Sequence, residues 1–229
     1  YEILIGLVGS EMCIRDSFPC KLLIATSNWL KMNHSATANE IIEVTQEELS
    51  RASLQKTPQE VLAVFVQPSY DLNPEVIKSS LCLALDDVQD PGNLGTIIRL
   101  ADWFGIEHIF CSTGTADVYN PKTVQATMGA LARVKVHYCS LPQLIESLTD
   151  IPVYGTFLNG NIIYTESLSA HGLIVMGNEG KGVSLEVEKL INNKLYIPNY
   201  PQERETSESL NVAIATAVVC SEFRRRLLP

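Results

Sequence analysis

Three polar, glycine-rich stretches hold the residue types that could do chemistry. The first, "DPGNLGTIIRLADWFG" (90–105), sets Asn93 between Gly92 and Gly95, then places Arg99 on an otherwise apolar helix. Leu94, Ile97, Ile98, Ala101 and Phe104 follow helical spacing and mark the buried face. Gly95, Arg99 and Asp102 fall on a different face. The plain reading is a surface Arg99–Asp102 pair worth a fraction of a kcal/mol, with Asn93 as an ordinary N-cap. It does not explain why Pro91, Gly92, Asn93 and Gly95 crowd one turn.

In the second stretch, "LIVMGNEGKGVS", an apolar strand runs into Gly177, Asn178, Glu179, Gly180, Lys181 and Gly182. Three glycines allow a ligand close to the backbone, and a flexible turn is the simpler alternative. The spacing fits neither a P-loop nor GxGxxG. The third, "YIPNYPQERETSESLNVAIATAVVC", carries Ile197 at a strand end and Ser209, Leu210 and Asn211 before an Ala-rich helix. Ser209 or Ser207 is placed to cap that helix. Ala213, Ala215 and Ala217 permit close packing against another helix or chain. The tail "EFRRR" puts positive charge at a helix C-terminus, which is favourable there and is also a fair phosphate contact.

Bulk composition neither demands nor excludes a nucleic-acid partner. A net charge of −9 lacks the basic bias of most nucleic-acid binders, yet a local patch can outvote the total. The cysteines, Cys13, Cys20, Cys82, Cys111, Cys139 and Cys220, show no CxxC pairing and no metal spacing with the histidines. This suits a reduced, cytosolic protein without a metal site. No apolar run approaches the roughly 18–20 residues of a membrane span.

These stretches need elements to position them. "CKLLIAT" predicts a strand, and "TQEELSRASL" a helix with Thr45 and Glu48 forming a capping box. "EVLAVFVQP" predicts a buried strand ended by Pro68. From Ser80 onward strands and helices alternate: "LCLALDDV", a helix opening at Asn93, "IEHIFCS", the helix "PKTVQATMGALARV", "KVHYC", the helix "LPQLIESLTD", "IPVYGTFL", "HGLIVMG", the helix "VSLEVEKLIN", "KLYIP" and a long final helix. The pattern predicts an α/β fold with a mainly parallel sheet flanked by helices, and ligands at the carboxyl ends of its strands. All three stretches fall there.

Taken in order, NxGxxxRxAxxFG, GNEGxG and IP…SLNV resemble the three signatures of the SpoU/TrmH RNA 2′-O-ribose methyltransferases, in the SPOUT class. The resemblance covers about Ser80 to Arg226. It implies a sheet whose C-terminal part is tied in a trefoil knot, a topology general rules make very rare. It implies S-adenosylmethionine as cofactor, held around Gly177, Asn178, Glu179, Gly180, Ile197, Ser209 and Leu210. Arg99 matches the family's catalytic arginine. Its guanidinium is a poor base, so the expected role is to hold phosphate and stabilise the alkoxide forming at a ribose 2′-hydroxyl, with the family's proposal that it acts as the base as the open alternative. Asn93, Glu179, Ser209 and Asn211 match the polar residues that orient Arg99 and the ribose. The glycines are then expected to let RNA and a partner loop approach. The implied state is a homodimer, with the last helix at the interface.

The resemblance also sets expectations for the rest of the chain. Residues 18–72 resemble the end of a small ribosomal-protein-like substrate-binding domain, truncated at its N-terminus, with a linker at 73–79 and the catalytic domain at 80–229. That domain favours ribosomal over transfer RNA. Tyr1–Ser17 fits a signal peptide or lipoprotein signal poorly, and it resembles a translated sequencing adaptor, a non-native segment. The stretch "NYPQERETSE" is longer and more charged than the family's usual loop and is expected to reshape the cofactor pocket or RNA entrance. RNA contact is expected from Arg99, Lys122, Arg133 and Arg224 to Arg226. The alternatives are a non-catalytic RNA-binding or ribosome-assembly protein with the same fold, and a base methylase of the same class.

Overall fold

The computed structural model describes residues 18–53, 59–201, 204 and 209–227, together with the backbone course of residues 2–6. The chain divides into two compact units, Tyr1–Ser69 with Met128–Ala132, and Tyr70–Thr127 with Arg133–Pro229.

The first unit is built on a four-stranded sheet in the order β1-β4-β2-β3, from β1 (Glu2–Gly6), β2 (Cys20–Ala25), β3 (Glu40–Glu43) and β4 (Val61–Val66). β2 and β3 run parallel, whereas β4 lies antiparallel to both β1 and β2. β1 falls in the segment expected to be non-native and forms the edge strand beside β4. Two short helices, α1 (Ser27–Met32) and α2 (Gln46–Ala52), lie between the strands. α2 starts at the expected capping box: the Thr45 hydroxyl accepts from Glu48 N at 3.3 Å, and the Glu48 carboxylate accepts from Thr45 N at 2.8 Å.

The second unit is a six-stranded sheet, wholly parallel, in the order β10-β8-β9-β5-β6-β7. Its strands are β5 (Leu81–Leu85), β6 (His108–Cys111), β7 (Lys135–Tyr138), β8 (Val153–Ile162), β9 (Gly172–Met176) and β10 (Asn193–Tyr196). β5 and β9 lie side by side at the centre and are buried along their whole length, as apolar runs in a covered parallel sheet must be. The chain leaves β5 toward β6 on one side, while β9 flanks it on the other. That reversal opens a crevice at the carboxyl ends of β5 and β9, where α/β sheets bind ligands. The helices are α3 (Pro91–Trp103), α4 (Pro121–Thr127), α5 (Leu141–Glu146), α6 (Leu185–Glu188) and α7 (Val212–Arg225).

Four details depart from the sequence-based expectation, each for a local reason. The stretch read as a linker carries a 3-10 turn, Pro74–Lys78, whose Ile77 is buried in the core with Cys82 and Leu173. The helix expected to run from Pro121 to Val134 ends at Thr127, where Met128 and Gly129 adopt left-handed backbone with φ of 51° and 86°. The helix expected over "VSLEVEKLIN" is a single turn, α6. α3 opens at Pro91, earlier than expected, because Asp90 takes the N-cap and accepts from Asn93 N at 2.8 Å. Asn93 is therefore not the cap, and its side chain is released for other work.

Candidate active site

The three stretches meet at the carboxyl ends of β5, β9 and β10. Each is fixed by polar contacts that spacing along the chain does not reveal. After β5, the Asp86 carboxylate is buried and accepts from Ser184 N at 2.7 Å, binding the β5 end to the turn before α6. Asp87 adopts a left-handed backbone with φ of 62°, a conformation Asp tolerates better than most residues. Its carbonyl accepts from Asn178 Nδ2 at 2.7 Å. The Asn178 side-chain oxygen accepts in turn from Gly180 N and Lys181 N at 2.9 and 3.0 Å, closing the loop on itself. A Cβ on Gly177 would stand 2.3 Å from the backbone of Gly182 and Val183, so this position admits only glycine. At Gly180, by contrast, such a Cβ would make only an ordinary contact, 3.8 Å from Asn178 Oδ1.

Glu179 joins this loop to α3. Its Oε1 accepts from Asn93 Nδ2 at 3.0 Å and from Asp90 N at 3.2 Å, and its Oε2 accepts from Gln89 N at 3.3 Å. Partial burial pushes the carboxyl up, but the donors from Asn93, its own backbone, Gln89 and Asp90 outweigh it and hold the pKa below the ordinary value. Asn93 is bonded at both ends, because its Oδ1 accepts from Asn211 Nδ2 at 3.0 Å. The Asn211 side-chain oxygen accepts from Ala213 N and Ile214 N and caps α7. The cap expected from Ser209 or Ser207 is thus supplied by Asn211, and Ser207 lies outside the described residues. A continuous relay, Glu179–Asn93–Asn211, links all three loops.

Arg99 sits two turns along α3 from this relay and is exposed. The surface pair with Asp102 does not form. Asp102 is held instead by Arg133, bidentate at 2.7 and 2.8 Å, and Arg99 has no ion pair or hydrogen bond among the described residues. Gly95 has a packing role: a Cβ there would lie 2.5 Å from the Thr123 carbonyl and 2.6 Å from Ala126 Cβ, so it lets α4 press against α3. The opening it was expected to give RNA or a partner loop is filled by the chain's own helix.

Beside the relay lies a cleft of about 550 Å³. Gly177, Asn178, Glu179, Gly180, Ile197, Ser209 and Leu210 all line it, so the seven residues expected around the cofactor share one cavity. Sequence reasoning missed its far wall, Thr156–Asn159 in the outer half of β8, together with Met176 and Tyr196. A motif-free strand extension gave no signal for that wall. Residues 202–203 and 205–208, most of the charged loop expected to reshape the cleft, lie outside the described residues.

Other cations expected to face RNA have protein partners. Lys122 pairs with Asp90 at 2.9 Å. Arg224 donates to the carbonyls of Phe104 and Gly105 at the end of α3 at 2.7 and 3.0 Å. Arg225 and Arg226 both bind Glu222, and Arg226 also donates to the carbonyls of Ile163, Tyr164 and Glu166.

Residues 80–221 match the SpoU rRNA Methylase family. The chain belongs to that family. Among SpoU relatives, it is 34% identical over 184 residues to the Bacillus subtilis protein named 23S rRNA (guanosine(2553)-2′-O)-methyltransferase RlmP, covering 79% of this chain and 71% of that one. A TrmH-family protein from Porphyromonas gingivalis superposes with a TM-score of 0.86 at 40% identity, over 98% of this chain and 90% of that one. The AdoMet-bound rRNA methyltransferase from Sinorhizobium meliloti gives a TM-score of 0.83 at 27% identity, over 100% and 88% of the two chains. The mainly parallel α/β fold expected from the motifs is therefore the fold of this SpoU chain.

Proposed function

We propose that this chain transfers a methyl group from S-adenosylmethionine to a ribose 2′-hydroxyl of RNA, with ribosomal RNA the favoured substrate. One observation carries the reading. The Glu179–Asn93–Asn211 relay fastens the helix that bears Arg99, unpaired among the described residues, to the rim of the 550 Å³ cleft. The relatives named as 23S rRNA 2′-O-methyltransferases support the substrate class.

The cleft suits the cofactor. Its size lies within the range of small-molecule sites, and its lining mixes apolar Met176 and Leu210 with peptide groups of the glycine loop. Gly177, Asn178, Gly180, Ile197, Ser209 and Leu210 would hold it. When bound, S-adenosylmethionine supplies an electrophilic methyl group, so the protein's main task is positioning. Glu179 serves that task from the loop side, since its carboxylate is committed to Asn93 and to two backbone donors. Asn93 and Asn211, with Ser209 beside them, orient Arg99 and the ribose. Arg99 binds an RNA phosphate and stabilises the negative charge that develops on the ribose oxygen as it attacks the methyl group and its proton passes to water.

The same reading makes the working unit a homodimer with α7 at the interface and a knotted C-terminal region. Exposed Trp103 and Ile214 offer apolar surface for a second copy. Residues 18–72 serve as a substrate-binding domain. Work on RNA implies a cytoplasmic location.

The test is methyl transfer from labelled S-adenosylmethionine to ribosomal RNA, followed by digestion to nucleosides. Label in a 2′-O-methyl nucleoside supports the reading. Label on a base, or none with a folded protein that still binds RNA, overturns it. Calorimetric titration with the cofactor, with Leu210→Arg as control, checks the cleft independently.

A further inference from the structure

The crowding of Asp90, Pro91, Gly92 and Asn93 has a physical solution that gives Asp90 a part in the site. Both Asp and Asn are strong N-cap residues, so two starts compete for α3. One start has Asp90 as cap and Pro91 in the first turn, where its missing N–H costs nothing. The other has Asn93 as cap, with its side-chain oxygen turned back onto the helix. Only the first leaves the Asn93 amide free to bridge Glu179 and Asn211.

Three contacts enforce the first start. Asp90 Oδ1 accepts from Asn93 N at 2.8 Å. Asp90 N donates to Glu179 Oε1 at 3.2 Å, so the cap residue and Asn93 grip the same carboxylate oxygen. Asp90 Oδ2 accepts from Lys122 Nζ on α4 at 2.9 Å. Gly92 keeps that corner open, because a Cβ there would lie 2.8 Å from Asp90 Oδ1 and 3.2 Å from Lys122 Cε.

We propose that Asp90 is a positioning residue for the methyl-transfer site, acting through Asn93 by occupying the α3 cap that Asn93 would otherwise take. This rests on the function proposed above. Lys122 is a support: its exposed pair with Asp90 steadies the carboxylate and adds little by itself.

The experiment compares wild type, Asp90→Ala, Asp90→Asn, Asn93→Ala and the double variant Asp90→Ala/Asn93→Ala. Asp90→Ala lowers kcat about 10- to 100-fold, the scale of an ångström-sized misplacement, with little change in KM for S-adenosylmethionine. Asp90→Asn still caps and stays near wild type. In the Asn93→Ala background, Asp90→Ala adds no further loss. A cap that merely stabilised the helix would instead leave kcat of the folded protein unchanged and would act equally in both backgrounds.

A second readout does not need turnover. In protein labelled with ¹⁵N-asparagine, the Asn93 side-chain amide resonance moves toward its solvent value in Asp90→Ala and stays in place in Asp90→Asn. An unmoved resonance in folded Asp90→Ala overturns the proposal. A wild type without methyl transfer overturns the function reading instead, and the Asn93 resonance then decides the positioning role alone.

Discussion

The two ends of the α3–α7 pair solve the same problem with opposite chemistry. At their N-terminal ends, neutral amides do the joining: Asn211 caps α7 and reaches Asn93, which reaches one carboxylate, Glu179. At their C-terminal ends, charge does it. Arg224 of α7 donates to the last carbonyls of α3, and Arg225 and Arg226 hold the buried Glu222. The first end spends no arginine on the fold, and Arg99, two turns further along α3, has no partner among the described residues. The second end commits its arginines to carbonyls and a carboxylate. A cation is available to an anionic substrate where the fold does not need it, a criterion that favours the substrate role proposed for Arg99 and leaves Arg224 to Arg226 as staples.

The largest expected effect breaks the comparison at Arg99. Arg99→Ala should reduce kcat by about 10²- to 10³-fold, the usual scale for removing a group that stabilises a developing oxyanion. Its thermal midpoint should hardly move, since the guanidinium holds nothing together among the described residues. Lysine should restore little, because a point charge does not reproduce the planar fork. A large fall in stability in Arg99→Ala, with kcat retained, would make the two ends alike and sink the distinction.

The relay should give the next effect. Glu179→Gln and Asn93→Ala should each lower kcat about 10- to 100-fold. The pH dependence has a definite sign. The folded-state pKa of Glu179 is depressed, so the carboxylate's contribution is present above its ordinary titration range. It is lost as pH falls through the depressed folded value. Activity limited by the relay should therefore fade on the acid side, and Glu179→Gln should remove that limb. An acid limb that survives in Glu179→Gln would assign it to another group.

The staple end should respond in stability. Glu222 is only 5% exposed, and its carboxyl is held down to about 2, first by Arg225 against the opposing effect of burial, then by Arg226. This contribution is complete above the ordinary value of 4.5 and disappears as pH falls from there toward about 2. Glu222→Gln at neutral pH should destabilise by about 1–2 kcal/mol, in line with hydrogen bonds to charged groups. That is a fall of a few degrees in Tm for a chain of this size. Its kcat, measured on folded protein, should match wild type. Chemical denaturation of Glu222→Gln beside Arg99→Ala would display the contrast directly.

Much of this was legible from local signals. The buried strands β5 and β9 read as apolar runs, the Thr45–Glu48 capping box read directly, and the three loops read as sites because glycines and polar residues gathered at strand ends. What could not be read is long-range pairing. Asp102 has an arginine within one helical turn, yet it bonds to Arg133, 31 residues away. Arg224 looks like a solvated helix end but caps a helix 120 residues earlier in the chain. Asn93 looks like a cap because Asp90 competes for the same role from only three residues upstream, and tertiary contacts to Glu179 and Lys122 decide the winner. The far wall of the cleft was invisible because a strand's length is set by its neighbours, and β8 runs past β9 to pair with β10.

The smallest expected effect sharpens the comparison at Arg133, which composition offers as an RNA contact and geometry claims as a staple. Its bidentate pair with Asp102 is half exposed on the arginine side, so Arg133→Ala should destabilise by less than about 1 kcal/mol. The discriminating measurement is the salt dependence of RNA binding. Removing one cation that neutralises a phosphate reduces the slope of log K against log salt by about 0.7 to 1. Arg99→Ala should show that reduction, and Arg133→Ala should keep the wild-type slope. If Arg133→Ala also flattened the slope, its guanidinium would be bridging Asp102 and an RNA phosphate together. Availability to substrate would then require only a spare edge of the guanidinium, and Arg224, which uses two donors on carbonyls, would have to be counted again among the groups that face RNA.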